Sequence, residues 1–373
     1  MSEIGSPVVM SKLVTNPITV ALVVFLTGFA TVLALRQSPD SDVDADANAH
    51  QIVYIGRTSS LDSNLYLHNL DTGAASQLTD AEFGVEDFAI APDGLAIAYT
   101  RYNDNGTTDI WLVDLRSGEN FRLTDCVHAS CAQPSWRADG ALIAFTRSEF
   151  GETQRIWTVD PSTTEAQLLF DDPYITGNSP QYAPQGNRIA LFATHPVGIM
   201  IYDFTTQFRE QIQSRQGSSG NFSPDGLWLS YPIMVRGAIG ATFFSQLETV
   251  ALESDTHAAI TGAPDDPIED VAGFWRPGHD DEIAVLRRFL DDRFTEGFQV
   301  YLLNVTSGDA EPLIVDADYT HSRLKWSSDG QQLLVQRFAL ENLDGNPEIW
   351  LYDVQQGDLQ RIAHDAINAD FLP

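Results

Sequence analysis

One short turn recurs along this 373-residue chain at intervals of roughly 45 residues. An aromatic residue stands just ahead of Pro, Ala or Ser, then Asp or Gln, then Gly, and an apolar run follows. The copies are Phe88 with Pro92, Asp93 and Gly94; Trp136 with Ala138, Asp139 and Gly140; and Tyr182 with Pro184, Gln185 and Gly186. Two more are Phe222 with Pro224, Asp225 and Gly226, and Trp326 with Ser328, Asp329 and Gly330. A degenerate copy holds Phe274, Trp275, Pro277 and Gly278. Asp accepts turn hydrogen bonds and Gly supplies a positive φ, so each copy reads as a hairpin. A repeat of this length built from short strands constrains the chain to an all-β, radially repeated fold, a β-propeller.

Each unit has four parts. A strand rich in aromatics leads into the turn, and a β-branched run such as 143–147 follows. A third strand has the pattern of residues 109–114, Asp-Ile-Trp-Leu-Val-Asp, echoed at 64–68, 155–160, 198–203, 299–304 and 348–353. A short fourth strand, such as 121–124, follows a Ser/Thr-Gly turn. No segment after residue 50 carries a helical period. The ends complement each other. Residues 52–57 read as a second strand without a first, and residues 370–373 as a first strand without a second. Pairing them closes a composite blade and removes an exposed edge. Six complete units and the composite predict seven blades. The fourth and fifth units are the least regular, which leaves six as the fallback count.

These turns and third strands resemble the WD40-like repeat of TolB-type propellers, over residues 51–373. The same repeat occurs in propellers of tricorn-like and prolyl-oligopeptidase-type peptidases. The resemblance implies a scaffold that binds other proteins, or one that guards a separate catalytic domain. No nucleophile-elbow motif is present, and the chain ends at the closing strand, so no appended catalytic domain is expected.

Residues 1–12 form an N-terminal segment. Residues 13–35 carry no charge, and 18–35 are almost wholly apolar, long enough to cross a bilayer. Residues 13–36 are therefore expected to be a transmembrane helix or uncleaved signal; a cleaved signal ending near Ala34 is the competing reading. Residues 37–50 read as an acidic disordered linker. Lys12 and Arg36 flank the apolar run, and the acidic linker follows Arg36. That asymmetry favours a single-pass protein with its propeller on the periplasmic or extracellular side.

The chain carries a net charge of −31, of which the first 50 residues supply −3. Nucleic acid is accordingly excluded as an expected partner, and a basic protein partner is favoured. In an exported domain, Cys126 and Cys131 would pair as a loop disulfide. No cofactor is expected.

Turns joining strands one and two, and three and four, share one face. The other two loop classes share a second, long-loop face, where variable sequence places binding. Glu82, Glu86, Asp104, Asp265, Asp291 and Asp344 are the candidate charge contacts there, with Tyr102, Phe150, Tyr174 and Phe294 as aromatic anchors. An arginine recurs near the mouth of this face at 57, 101, 147, 287 and 337. Each is expected to pair with a loop carboxylate, the alternative being a ring that binds an anion. Asn103 to Gly106 and Asn342 to Asn346 read as hairpin turns rather than calcium loops. His128, His195, His321 and His364 also map to the long-loop face and are the weak metal candidates. They carry the rival reading, a metal-dependent propeller lyase or hydrolase. A small-ligand sensor in the central channel is a third.

Overall fold

The recurring turn does what its chemistry requires. In the second blade, Gly94 adopts φ +68° and donates its N–H to Ala91 at 2.9 Å. Asp93 accepts from the Leu95 N–H at 3.0 Å, which holds the turn closed. The copies at Asp139, Asp225 and Asp329 make the same contact two residues on.

A computed structural model describes residues 50–57, 62–237, 243–254, 256–261, 266–342 and 346–373. Seven four-stranded antiparallel sheets are present, so the blade count is seven rather than six. Blades 2 to 7 start at Val85, Ala129, Gly177, Asn221, Ile268 and Tyr319. Blade 1 is composite: Ala366–Phe371 pairs with Gln51–Arg57, followed by Ser63–Asn69 and Ala75–Gln77. The closing strand is longer than expected and begins at residue 366, with Ile52 opposite Phe371 and Gly56 opposite Ala366. Leu372 beyond it is buried and donates its N–H to the Gln51 carbonyl at 2.9 Å.

The apolar alternation of the strands fills seven clusters, one at each contact between neighbouring blades. Ile52, Tyr54, Leu334, Ile349 and Ala366 join blade 7 to blade 1, which shows that the ring is closed by packing as well as by pairing. The fourth strands Ala75–Gln77 and Asn120–Arg122 are wholly exposed, so they form the rim and the first strands face the axis.

The first strands carry a feature that alternation alone did not reveal. In six blades the pairing of the first and second strands is interrupted by a register shift, for example between Val85 and Phe88 and between Ala132 and Ser135. Such bulges re-aim side chains. Gln133, Ser179 and Asn368 take positive φ at this level. Asp87 of blade 2 accepts the Gln133 N–H of blade 3 at 3.1 Å, and Gln133 accepts the Ser179 N–H of blade 4 at 2.9 Å. Arg323 of blade 7 donates to Asn368 of blade 1 at 2.6 Å. A polar belt thus stitches the axial strands together.

Residues 13–36, expected to cross a membrane, lie outside the described residues. Among the described residues no helix is long and apolar enough to cross one.

Candidate functional site

The third strands begin with polar residues that fasten each blade to the loop leaving it. Asp109 accepts the Thr124 hydroxyl at 2.9 Å and the Cys126 N–H at 2.8 Å. Asn64 makes the same clasp with Thr79 and the Ala81 N–H. These clasps fix the two loops that flank blade 2 on the long-loop face. Cys126 and Cys131 are joined in a disulfide with a Cα–Cα distance of 6.2 Å, which pins the second loop again. Between the pinned ends, His128 takes φ +62° and Val127 is 58% exposed. The turn at 103–106 is an Asn-Gly hairpin as expected: Gly106 donates to the Asn103 carbonyl at 3.1 Å.

These loops enclose a hollow of about 570 Å³ whose lining includes Glu82, Phe83, Arg101, Tyr102, Asp104, Trp111 and Val127. A second hollow of about 620 Å³ shares Glu82 and Arg101 and reaches Asp62 and Asp80 of blade 1. Three of the expected contacts, Glu82, Tyr102 and Asp104, therefore meet in one cleft. Glu86 does not sit on a loop as expected. It lies with Asp87 on the axial strand Val85–Ile90, because the bulge there carries both residues into the strand. It remains close to the cleft: burial, then Glu86, pushes the Tyr102 phenol above its ordinary value.

The other candidates are dispersed around the face. Phe150 is fully exposed in the turn of blade 3. Tyr174, 79% exposed, borders a separate hollow with His195 and Arg209. In blade 6, Asp291 is bonded to Arg293 at 2.5 Å, and that hydrogen-bonded arginine holds its carboxyl below the usual range. Phe294 lies 5.8 Å from the Arg288 guanidinium. Asp265 and Asp344 lie outside the described residues.

The recurring arginines are not equivalent. Arg147 pairs with Glu149 at 2.9 Å, Arg287 with buried Asp270 at 2.8 Å, and Arg337 with Asp316 at 3.2 Å. Arg57 and Arg101 have no carboxylate within 4 Å among the described residues, against expectation; the Arg101 guanidinium lies 4.5 Å above the Trp111 ring. Two further acids near this face are buried. Asp109 is 2% exposed, and Asp270 is fully buried, with burial pushing its carboxyl up against the pull of Arg287.

The four histidines are not brought together. His128 stands at the stapled loop, His195 before a cis proline in blade 4, and His364 at the end of blade 7 beside Asp365. His321 is buried in the axial strand of blade 7, its Nδ1 2.7 Å from the Phe298 carbonyl. Burial lowers its pKa to about 4. Among the described residues no group of three or more His, Cys, Asp or Glu side chains could hold a metal ion.

Sequence reasoning missed Asp87 as an axial group. Thr100 and the Gln133 N–H both donate to it, yet burial raises its pKa to about 6. The signal for the clasps was present: a polar residue opens the third strand and Thr follows fifteen positions on, at 64 and 79 and at 109 and 124.

Solved structures of similar architecture include TolB from Acinetobacter baumannii, 14% identical with a TM-score of 0.52, covering 93% of this chain and 71% of that one. An oligogalacturonate lyase from Vibrio parahaemolyticus is 13% identical, with a TM-score of 0.57 and 84% of each chain covered. The β-propeller domain of the Trilobed protease from Pyrococcus furiosus is 16% identical, with a TM-score of 0.55, covering 76% of this chain and 84% of that one. At these identities the likeness is one of fold alone, and it reaches a lyase and a protease domain as well as TolB. No curated protein matches the chain in sequence. The TolB beta propeller domain, however, matches residues 38–263, more than half of the chain. The chain therefore belongs to the TolB β-propeller domain family.

Proposed function

We propose that this protein is a membrane-tethered propeller that binds a protein partner through its long-loop face and assembles a complex there. Residues 13–36 would serve as the tether, and the propeller would stand on the periplasmic or extracellular side. The observation that carries the reading is the cleft on blade 2. Glu82 and Asp104 are exposed there without an ion partner among the described residues, between two loops fixed by clasp and disulfide. Phe83, 43% exposed, and Val127 add apolar surface on either side. Rigid loops, unpaired charge and exposed apolar side chains suit recognition of a basic protein segment.

The test is affinity capture from native membranes, using the full chain and its Glu82→Gln/Asp104→Asn double variant. A partner bound through this cleft should be retained by the parent and lost, or weakened at least tenfold, by the variant at low salt, the difference narrowing as salt rises. Equal retention by both chains would sink the reading.

A further inference from the structure

The charge in the cleft is of both signs, and its positive part is the more informative. Elsewhere on this face three arginines at or near the end of a second strand are neutralised by carboxylates, while Arg57 and Arg236 have no ion pair among the described residues but line neither of the two hollows. Arg147, Arg287 and Arg337 each have one within 3.2 Å. Arg101 occupies the equivalent position in blade 2, lines both hollows, and has no carboxylate within 4 Å among the described residues. Its register partner Asp109 is not within 4 Å of it and is spent on Thr124, the Cys126 N–H and the Asn103 amide, with Arg122 at 3.7 Å. The guanidinium is not loose, because it rests on the Trp111 ring at 4.5 Å. A cation held over an aromatic face has lost part of its conformational freedom before a ligand arrives. It keeps a fork of N–H donors suited to a carboxylate.

We propose that the cleft captures the free C-terminus of a partner polypeptide, a specification that rests on the protein-binding reading above. The α-carboxylate pairs with Arg101. The side chain of the terminal residue branches from the same carbon and is apolar, lying between Phe83 and Val127. An upstream Lys or Arg meets Glu82 or Asp104. The flanking carboxylates select among anions: a phosphate with its second charge is repelled more strongly than a single carboxylate. A terminal residue also satisfies the cation and the apolar contacts at once, which an internal acidic side chain on a longer stem does less well.

The experiment uses the full chain and two pools of N-acetylated hexapeptides randomised at their last four positions. One pool ends in a free acid and the other in an amide. Retained peptides are identified by mass spectrometry and remeasured singly by fluorescence anisotropy. The expected result is retention of free acids with an apolar last residue and an upstream basic one, each at least tenfold tighter than its amide. Arg101→Gln should abolish that ratio and Arg101→Lys should keep part of it. Glu82→Gln should weaken acid and amide alike and leave the ratio intact. Equal retention of the two pools, or an unchanged ratio in Arg101→Gln, would overturn the assignment. So would retention of neither pool. If capture from membranes still depends on Glu82 and Asp104 in that case, the protein-binding reading survives and only the C-terminal assignment fails.

Discussion

Two sectors of the same face make opposite use of the same residue types. Around blades 6 and 7, Glu269, Asp270, Asp291, Asp316 and Glu348 each lie within 3.2 Å of an arginine. The arginines are further occupied by rings: Arg337 sits 3.7 Å from Tyr319 and 3.8 Å from Trp350, and Arg293 sits 3.9 Å from Phe289. Asp292, Glu296 and Asp318 have no ion partner there among the described residues, but they are at exposed positions around a neutralised centre. Around blade 2, Asp80, Glu82, Asp104 and Arg101 have no opposite charge within 4 Å among the described residues, and they converge on connected hollows. The sequence is acidic in both sectors. What separates a structural sector from a candidate docking sector is which charges the fold has already satisfied, not how many there are.

The comparison first requires that both sectors ride on one closed ring. Removing residues 366–373 takes away the whole axial strand of blade 1 and leaves Gln51–Arg57 as an open edge. This should abolish the single cooperative melt seen by circular dichroism and promote aggregation. Removing only residues 370–373, which include buried Leu372, should keep a cooperative melt at a lower midpoint. A parent-like melt for the longer deletion would contradict the closure.

Charge removal should then separate the sectors. Asp270→Ala strands the buried Arg287 and should cost about 3–5 kcal/mol in chemical denaturation. Glu82→Gln should stay within about 0.5 kcal/mol of the parent. Similar losses for the two would erase the distinction.

Acidity probes two axial groups with opposite signs. The carboxyl of Asp87 is raised to about 6 in the fold, so its contribution is present at low pH and lost as pH rises through 6. His321 is lowered to about 4, so its contribution is present at neutral pH and lost as pH falls from its ordinary 6.5 toward 4. The slopes oppose each other between roughly pH 4 and 6. Relative to the parent, Asp87→Asn should lose stability on acidification across that range, and His321→Gln should gain it. Parallel curves for all three chains would contradict both assignments.

The smallest expected effect concerns the staple beside the open sector. Replacing Cys126 and Cys131 with Ser should cost about 2 kcal/mol, the loop-closure value for so short a loop. It should also weaken partner capture by freeing Val127.

The blades were legible because an Asp-Gly turn states its own backbone geometry: Gly94 and Gly330 both sit at φ +68°. The composite blade was legible because a lone second strand and a lone first strand can satisfy each other. Glu86 and Asp87 were misplaced because one extra residue in a bulge leaves the apolar pattern of the strand nearly intact. The division of the acidic face was illegible for a different reason. The partner of Asp270 is Arg287, set by cross-strand register across an irregular stretch. That Arg101 should lack such a partner depends on Asp109 turning toward Cys126, a contact to the next loop. Proximity in sequence announces neither.

The most direct test of the account places a photo-crosslinking residue at Phe83 in the open sector, and separately at Phe294 in the neutralised one, in the full chain in its native membrane. A discrete crosslinked partner is expected at position 83, lost when Glu82→Gln and Asp104→Asn are added, and little or none at position 294. Equal crosslinking at both positions, or a partner captured only at 294, would contradict it.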